Sequence, residues 1–123
     1  MPARQIPFEQ FFSGRDEARL LFEAVSQAID SIGEAERRVT KSQVAFRRRR
    51  AFAWVWMPGM YLRGKAAPLV LSVALPYIDT SPRWKQVVEP HPGRCMHHLE
   101  LRDVSEIDDE VLHWLQIAWL NAA

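Results

Sequence analysis

The sequence predicts an α+β fold, with an antiparallel sheet of about four strands and an N-terminal and a C-terminal helix packed on one face. Three observations point there. Apolar residues recur with helical spacing near both ends of the 123-residue chain. Between those ends the period drops to two. The first two strand-like runs are separated only by an arginine cluster, a connection that permits a hairpin and no crossover.

The first helix is expected over residues 13–32, where Ala18, Leu21, Phe22, Val25, Ala28, Ile29 and Ile32 form one stripe. Ser13 reads as its N-cap, Asp16 and Glu17 complement the dipole, and Gly33 reads as a left-handed stop. The second helix is expected over about residues 107–120, on Ile107, Val111, Trp114, Leu115 and Ala118. Ser105 reads as its N-cap, and Glu106, Asp108, Asp109 and Glu110 crowd its positive end. Residues 39–48, 51–57, 69–75 and 95–102 read as the four strands, rich in β-branched and aromatic side chains. Residues 1–12 form an N-terminal arm, and 76–94, with four prolines and Gly93, a long irregular loop.

Length and composition predict a single domain over residues 1–123, since 48% apolar and 25% charged residues are ordinary globular values. The most apolar stretch, residues 66–76, falls well short of a membrane span and contains Pro68 and Ser72. The first dozen residues lack the apolar core of a secretory signal, so a cytoplasmic location is expected. Cys95 is the only cysteine, which excludes an intrachain disulfide and fits a reducing compartment.

Two of the strands pose a problem. Phe52, Trp54 and Trp56 oppose Ala53, Val55 and Met57 in one, and Leu69, Leu71, Val73 and Leu75 oppose Val70, Ser72 and Ala74 in the other. Neither alternates between apolar and polar, as a sheet with one wet face would. Two helices cover one face, so the other is expected to have a lid. The arm with Ile6, Phe8, Phe11 and Phe12, the proline-rich loop with Trp84, and a second copy of the chain in a homodimer are the candidates.

Charge is distributed unevenly. Residues 1–36 carry a net −4, residues 37–65 a net +9 without one acid, and residues 66–123 a net −4. A basic block of this kind suits an anion, whether phosphate, nucleic acid or an acidic partner. The expected anion or partner site is Lys41, Arg47, Arg48, Arg49 and Arg50, its field extended by Arg37, Arg38, Arg63 and Lys65. The reading that follows is a non-catalytic binding or accessory module. A nucleic-acid accessory protein is the alternative, although neither a recognition helix nor a recognisable arrangement of exposed aromatics is legible.

A third reading is a hydrolase that uses His98 with Arg83 and His91. His97 shares a strand face with Cys95, Leu99 and Leu101 and is expected to be a hydrogen-bonded core residue, whereas His98 faces the other way. His91, Cys95 and His98 make an unorthodox ligand set, so no metal is expected. With no glycine-rich phosphate loop, paired-carboxylate motif or nucleophile elbow, no cofactor or catalytic residue is assigned.

The run RRVTKSQVAFRRRRAFAWV, followed later by MHHLELRDVSEIDDEVLHWLQIAW, resembles the bacterial domain of unknown function 5655 family. The positions that carry the resemblance are Thr40, Lys41, Val44, Ala45, Phe46, Arg47, Phe52, Ala53, His97, Glu100, Leu101, Asp108, Asp109, Ala118 and Trp119. It covers about residues 16–120. It implies a stand-alone protein or a terminal module beside other domains, and no activity comes with it. The CMHH segment of this chain departs from the aromatic, glycine and histidine run more common in the family.

Overall fold

The computed structural model describes residues 6–60 and 66–123. A helical turn, α1 (Phe8–Phe11), leads into the long helix α2 (Asp16–Ile32). Six strands follow, β1 (Glu36–Val39), β2 (Val44–Arg47), β3 (Ala51–Trp56), β4 (Leu69–Leu75), β5 (Gln86–His91) and β6 (Arg94–Leu101), and α3 (Asp109–Asn121) closes the order. The strands make one sheet in the order β1-β2-β3-β4-β6-β5, with every neighbouring pair antiparallel. The fold is therefore α+β with both long helices on one face.

Six strands stand where four were expected, for two reasons. The run 39–48 is divided at Thr40, whose N–H donates to the Gln43 carbonyl at 2.9 Å, turning the chain back on itself without glycine or proline. The loop 76–94 contains β5, an edge strand with Glu89 and Pro90, of the kind that blunts a sheet edge. Gly93, at φ +76°, makes the turn into β6. β5 lies beyond β6, so the chain crosses from β4 over β6 to reach it.

That crossover is held by a polar network around the half-buried Asp79. Trp84 stacks on Trp114 and His97, with centroids 4.1 and 4.9 Å away. Its indole N–H donates to Asp79 at 2.9 Å, and the Asp79 backbone N–H donates to His97 Nε2 at 2.9 Å. His97 Nδ1 lies 3.0 Å from the Cys95 carbonyl, which only accepts, so the ring is the neutral Nδ1–H tautomer. His97 is the fully buried core histidine its strand face implied. Burial pushes the Asp79 carboxyl up, but hydrogen bonds from Trp84 and the Ser81 backbone outweigh it and leave it below the usual range.

The helix ends differ from the expected caps. Ser13 does not cap α2; Arg15 occupies that position with no side-chain cap bond, after Gly14 at φ +70°. Ser105 does not cap α3. Asp108 does, accepting from Val111 N–H at 3.2 Å, while Asp103 and Glu106 form a reciprocal cap on the 3-10 turn before it. Arg83 reaches across to this end, 3.0 Å from Asp108 and 2.8 Å from Glu110. The Arg83 guanidinium holds the Asp108 carboxyl below its ordinary value, despite some burial, with the Val111 N–H adding to the effect.

Gly33 ends α2 in extended backbone, φ 173°, rather than in the left-handed region. What requires glycine there is the Trp119 ring: a Cβ on residue 33 would lie 2.6 Å from its Cε2. The ring is pinned by its own N–H, which donates to the Glu34 carbonyl at 2.9 Å.

Neither of the intrachain lids foreseen for the second sheet face covers it. The arm packs on the helix side, where Phe8 and Phe12 lie against Phe22, and Phe22 against Phe46. Trp84 also lies on that side, against Trp114 of α3. The register puts Ala45, Trp54, Ser72 and His98 in one row on the helix-free face, with Trp56, Val70 and Glu100 in the next. Val70, Ser72 and Ala74 are nonetheless only 3–4% exposed. Trp56 and His98 both hydrogen-bond to Ser72, so large side chains of the flanking strands roof the small ones of β4.

Two outcomes follow. Gly33→Ala should cost about 1–3 kcal/mol, and a double-mutant cycle with Trp119→Ala should recover much of that loss; additive penalties in thermal unfolding would contradict the close approach. Asp79 and Asp108 have folded pKa values below their unfolded ones. Their contribution is present above about pH 4 and lost as pH falls through the folded values. Thermal midpoints should fall below pH 4, and by less in Asp108→Asn than in the wild type.

Candidate partner-binding surface

Arg47 ends β2 and Arg48–Arg50 form the turn to β3, beside a bulge at Phe46 and Arg47. They are not equivalent. The Arg48 guanidinium lies over the Trp119 ring, 3.6 Å from its centroid, and donates to the Trp119 carbonyl at 3.2 Å. Arg50 donates to the Asn121 carbonyl at 3.0 Å, and the Arg49 backbone N–H to the Ala122 carbonyl at 3.0 Å. The last turn of α3 contains no basic residue. The hairpin supplies from outside the cations that a helix C-terminus favours. Arg48 and Arg50 thus fasten the turn to α3, while the exposed Arg49 side chain and the half-buried Arg47 side chain make no ion pair among the described residues.

The rest of the basic block is also sorted by partner. Arg37 is bound by Ser26, the Ala35 carbonyl and Asp30, the last at 2.8 Å, and Arg38 by Glu36 at 3.2 Å. Lys41 sits in the turn between β1 and β2, at the opposite end of β2 from Arg48–Arg50, so the structure does not bring it to the arginine turn. Arg63 and Lys65 lie outside the described residues. Where the turn meets both helix ends, an open groove of about 770 Å³ is lined by Arg47, Arg48 and Trp119 together with Asp30, Glu34 and Glu36, the last directly opposite Arg47 in the strand register.

The second set of expected residues does not assemble. Arg83 is committed to the N-terminus of α3 on the helix side. His98 lies on the other face, and His91 is exposed at the end of β5, opposite Arg94. Cys95 is buried on the His97 side, where burial and the Glu89 carboxylate push its thiol up, away from the nucleophilic thiolate. His91, Cys95 and His98 therefore do not converge.

His98 belongs to a different cluster. Its Nδ1 lies 2.7 Å from Ser72 Oγ, which also accepts from Trp56 Nε1 at 3.1 Å. A hydroxyl oxygen that accepts from Trp56 can either donate to Nδ1 or accept from it, so both neutral tautomers of His98 fit. Burial, with the nearby His97 adding to it, lowers the His98 pKa, which keeps the ring neutral at pH 7. Gln43, Trp54, Trp56, Ser72, Met96 and His98 line a shallow hollow of about 190 Å³. The period-two pattern placed Trp54 and Trp56 together on one face, but gave no sign that this face was the one without helices. Trp119 was not singled out for a site at all; its place beside Arg48 comes from contacts 71 residues apart in sequence.

No helix among the described residues is long and apolar enough to cross a membrane. No curated protein and no solved structure matches the chain significantly. A family model does match it, over residues 8–122, and so over nearly its whole length. The helix, the paired strands around the arginine turn and the acidic closing helix all lie within that match, and the chain belongs to the family described as Domain of unknown function (DUF5655).

Proposed function

We propose that the protein is a non-catalytic binding module that takes an anionic group of a partner at the arginine turn between β2 and β3. The observation that carries this reading is the division of labour within Arg47–Arg50. Arg48 and Arg50 fasten the turn to the end of α3, and so fix Arg47 in the lining of the groove and Arg49 on the exposed turn next to it, neither of them in an ion pair among the described residues. A cation held by a fixed backbone loses less freedom on binding than one on a loose tip. Two of the three acidic side chains in the lining are paired, Asp30 with Arg37 and Glu36 with Arg38. Lys41 lies too far along β2 to act with the turn.

The test uses fluorescence anisotropy at low salt with a labelled polyglutamate peptide and a labelled oligothymidylate as anionic probes. The wild type should bind at least one of them. Replacing Arg47 and Arg49 together by serine should weaken that binding about tenfold and leave the thermal midpoint unchanged. For the oligonucleotide it should reduce the slope of log K against log salt by about 1.4, at about 0.7 for each lost phosphate contact on a single strand. Arg48→Ala should instead destabilise the fold by about 1 kcal/mol, through the lost carbonyl contact and ring stacking. Failure of the wild type to bind either probe, or undiminished binding by the Arg47 and Arg49 variant, would overturn the reading.

A further inference from the structure

The helix-free face combines features that point to one class of partner. No described segment packs across it, since α2, α3, the arm and Trp84 of the crossover lie on the other side. On it β3 presents Trp54 and Trp56, two residues apart and hence about 7 Å along one strand, both half-buried rather than sealed in a core. The hollow between them and β6 holds about 190 Å³, below the roughly 300–1,000 Å³ of sites that enclose a whole small molecule. It has the size for one flat group of a ligand that continues beyond it.

The polar lining suits the edge of such a group. The Gln43 side-chain amide and His98 Nε2 both belong to residues lining the hollow, and neither is hydrogen-bonded among the described residues. With its pKa lowered, His98 offers a neutral ring whose Nε2 donates in one tautomer and accepts in the other. Cations flank the aromatics. The Arg94 guanidinium lies 5.8 Å from the Trp54 centroid, Arg38 stands opposite Ala45 in the Trp54 row, and Arg47 follows on β2. The acids on this face are occupied: Glu36 by Arg38, and Glu100 by Lys85 and Arg102.

We propose that this face is a stacking platform for single-stranded nucleic acid, in which Trp54 and Trp56 hold bases and Arg47 and Arg94 hold their phosphates. Aromatic side chains on an open sheet, framed by cations, bind single strands with little regard for sequence, because every base has a π-face. The inference rests on the anion-binding reading through Arg47, which the turn and this face share, and it names the partner.

The decisive comparison uses the wild-type protein with an oligothymidylate and an abasic strand of the same length, followed by anisotropy and tryptophan fluorescence. The base-bearing strand should bind about tenfold more tightly and quench the tryptophans. Trp54→Leu keeps apolar bulk without a π-face, and should remove that preference while leaving binding of the abasic strand unchanged. Equal binding of the two wild-type complexes would overturn the platform and leave the anion-binding reading standing. Binding of polyglutamate with neither strand bound would do the same. No binding of any of the three probes would remove both. If sedimentation showed the wild type to be a dimer that Trp54→Leu dissociates, with oligonucleotide affinity unaltered, the face would be a self-interface and the platform would fall. The wild-type comparison stands even if the variant is unstable.

Discussion

One indole joins the three parts of this fold. Trp119 sits against Gly33 at the end of α2, donates to the Glu34 carbonyl just before β1, and carries the Arg48 guanidinium of the hairpin turn on its face. Both helices and the basic edge of the sheet therefore converge on a single ring that is itself only half-buried. The contact does two kinds of work. It closes the corner where α2, α3 and β2 meet, and it converts a flexible run of like charges into an ordered turn. Four adjacent guanidiniums repel one another, and two of them find relief in carbonyls that a helix C-terminus leaves without partners.

The opposite end of α3 is organised by the same rule with reversed sign. Asp108 and Glu110 at its N-terminus draw in Arg83, while Arg48 and Arg50 answer its C-terminus. The helix is clamped at both poles by arginines from distant segments. Between the poles its apolar face covers Trp84 and the central strands, with the buried His97 and the half-buried Asp79 hydrogen-bonded into the same crossover network. Each polar group in that network has a partner, and no buried side-chain polar atom among the described residues is left without one.

Fold class was legible because it rests on periodicity. The stripe from Ala18 to Ile32 is a signal that only a helix satisfies, and the short β-branched run from Leu69 to Leu75 reads as a strand by its length and the Pro68 before it. The strand count was not legible, since the turn at Thr40 uses side-chain and backbone hydrogen bonds in place of glycine or proline, and β5 hides among prolines at a sheet edge. The arginine turn was visible as a cluster. Which of its members are committed depends on carbonyls about 70 residues away, which no local pattern encodes. The same holds for Gly33, a helix stop by spacing whose need for hydrogen in place of a side chain comes from Trp119. The second sheet face was recognised as unusual, yet its roof of Trp56 and His98 over Ser72 emerges only from the register of three strands.

The position of β6 has a consequence for how the chain reaches this state. It follows β4 and β5 in sequence but lies between them in the sheet, with seven of its eight residues paired along all of β4. Until residues 94–101 have been made, β4 has one open edge along a run of six apolar side chains and Ser72, in a chain whose earlier strands are already able to pair. During synthesis this is the interval of greatest exposure to association between nascent chains. The strand that carries the histidines is thus also the wedge whose late insertion ends that interval.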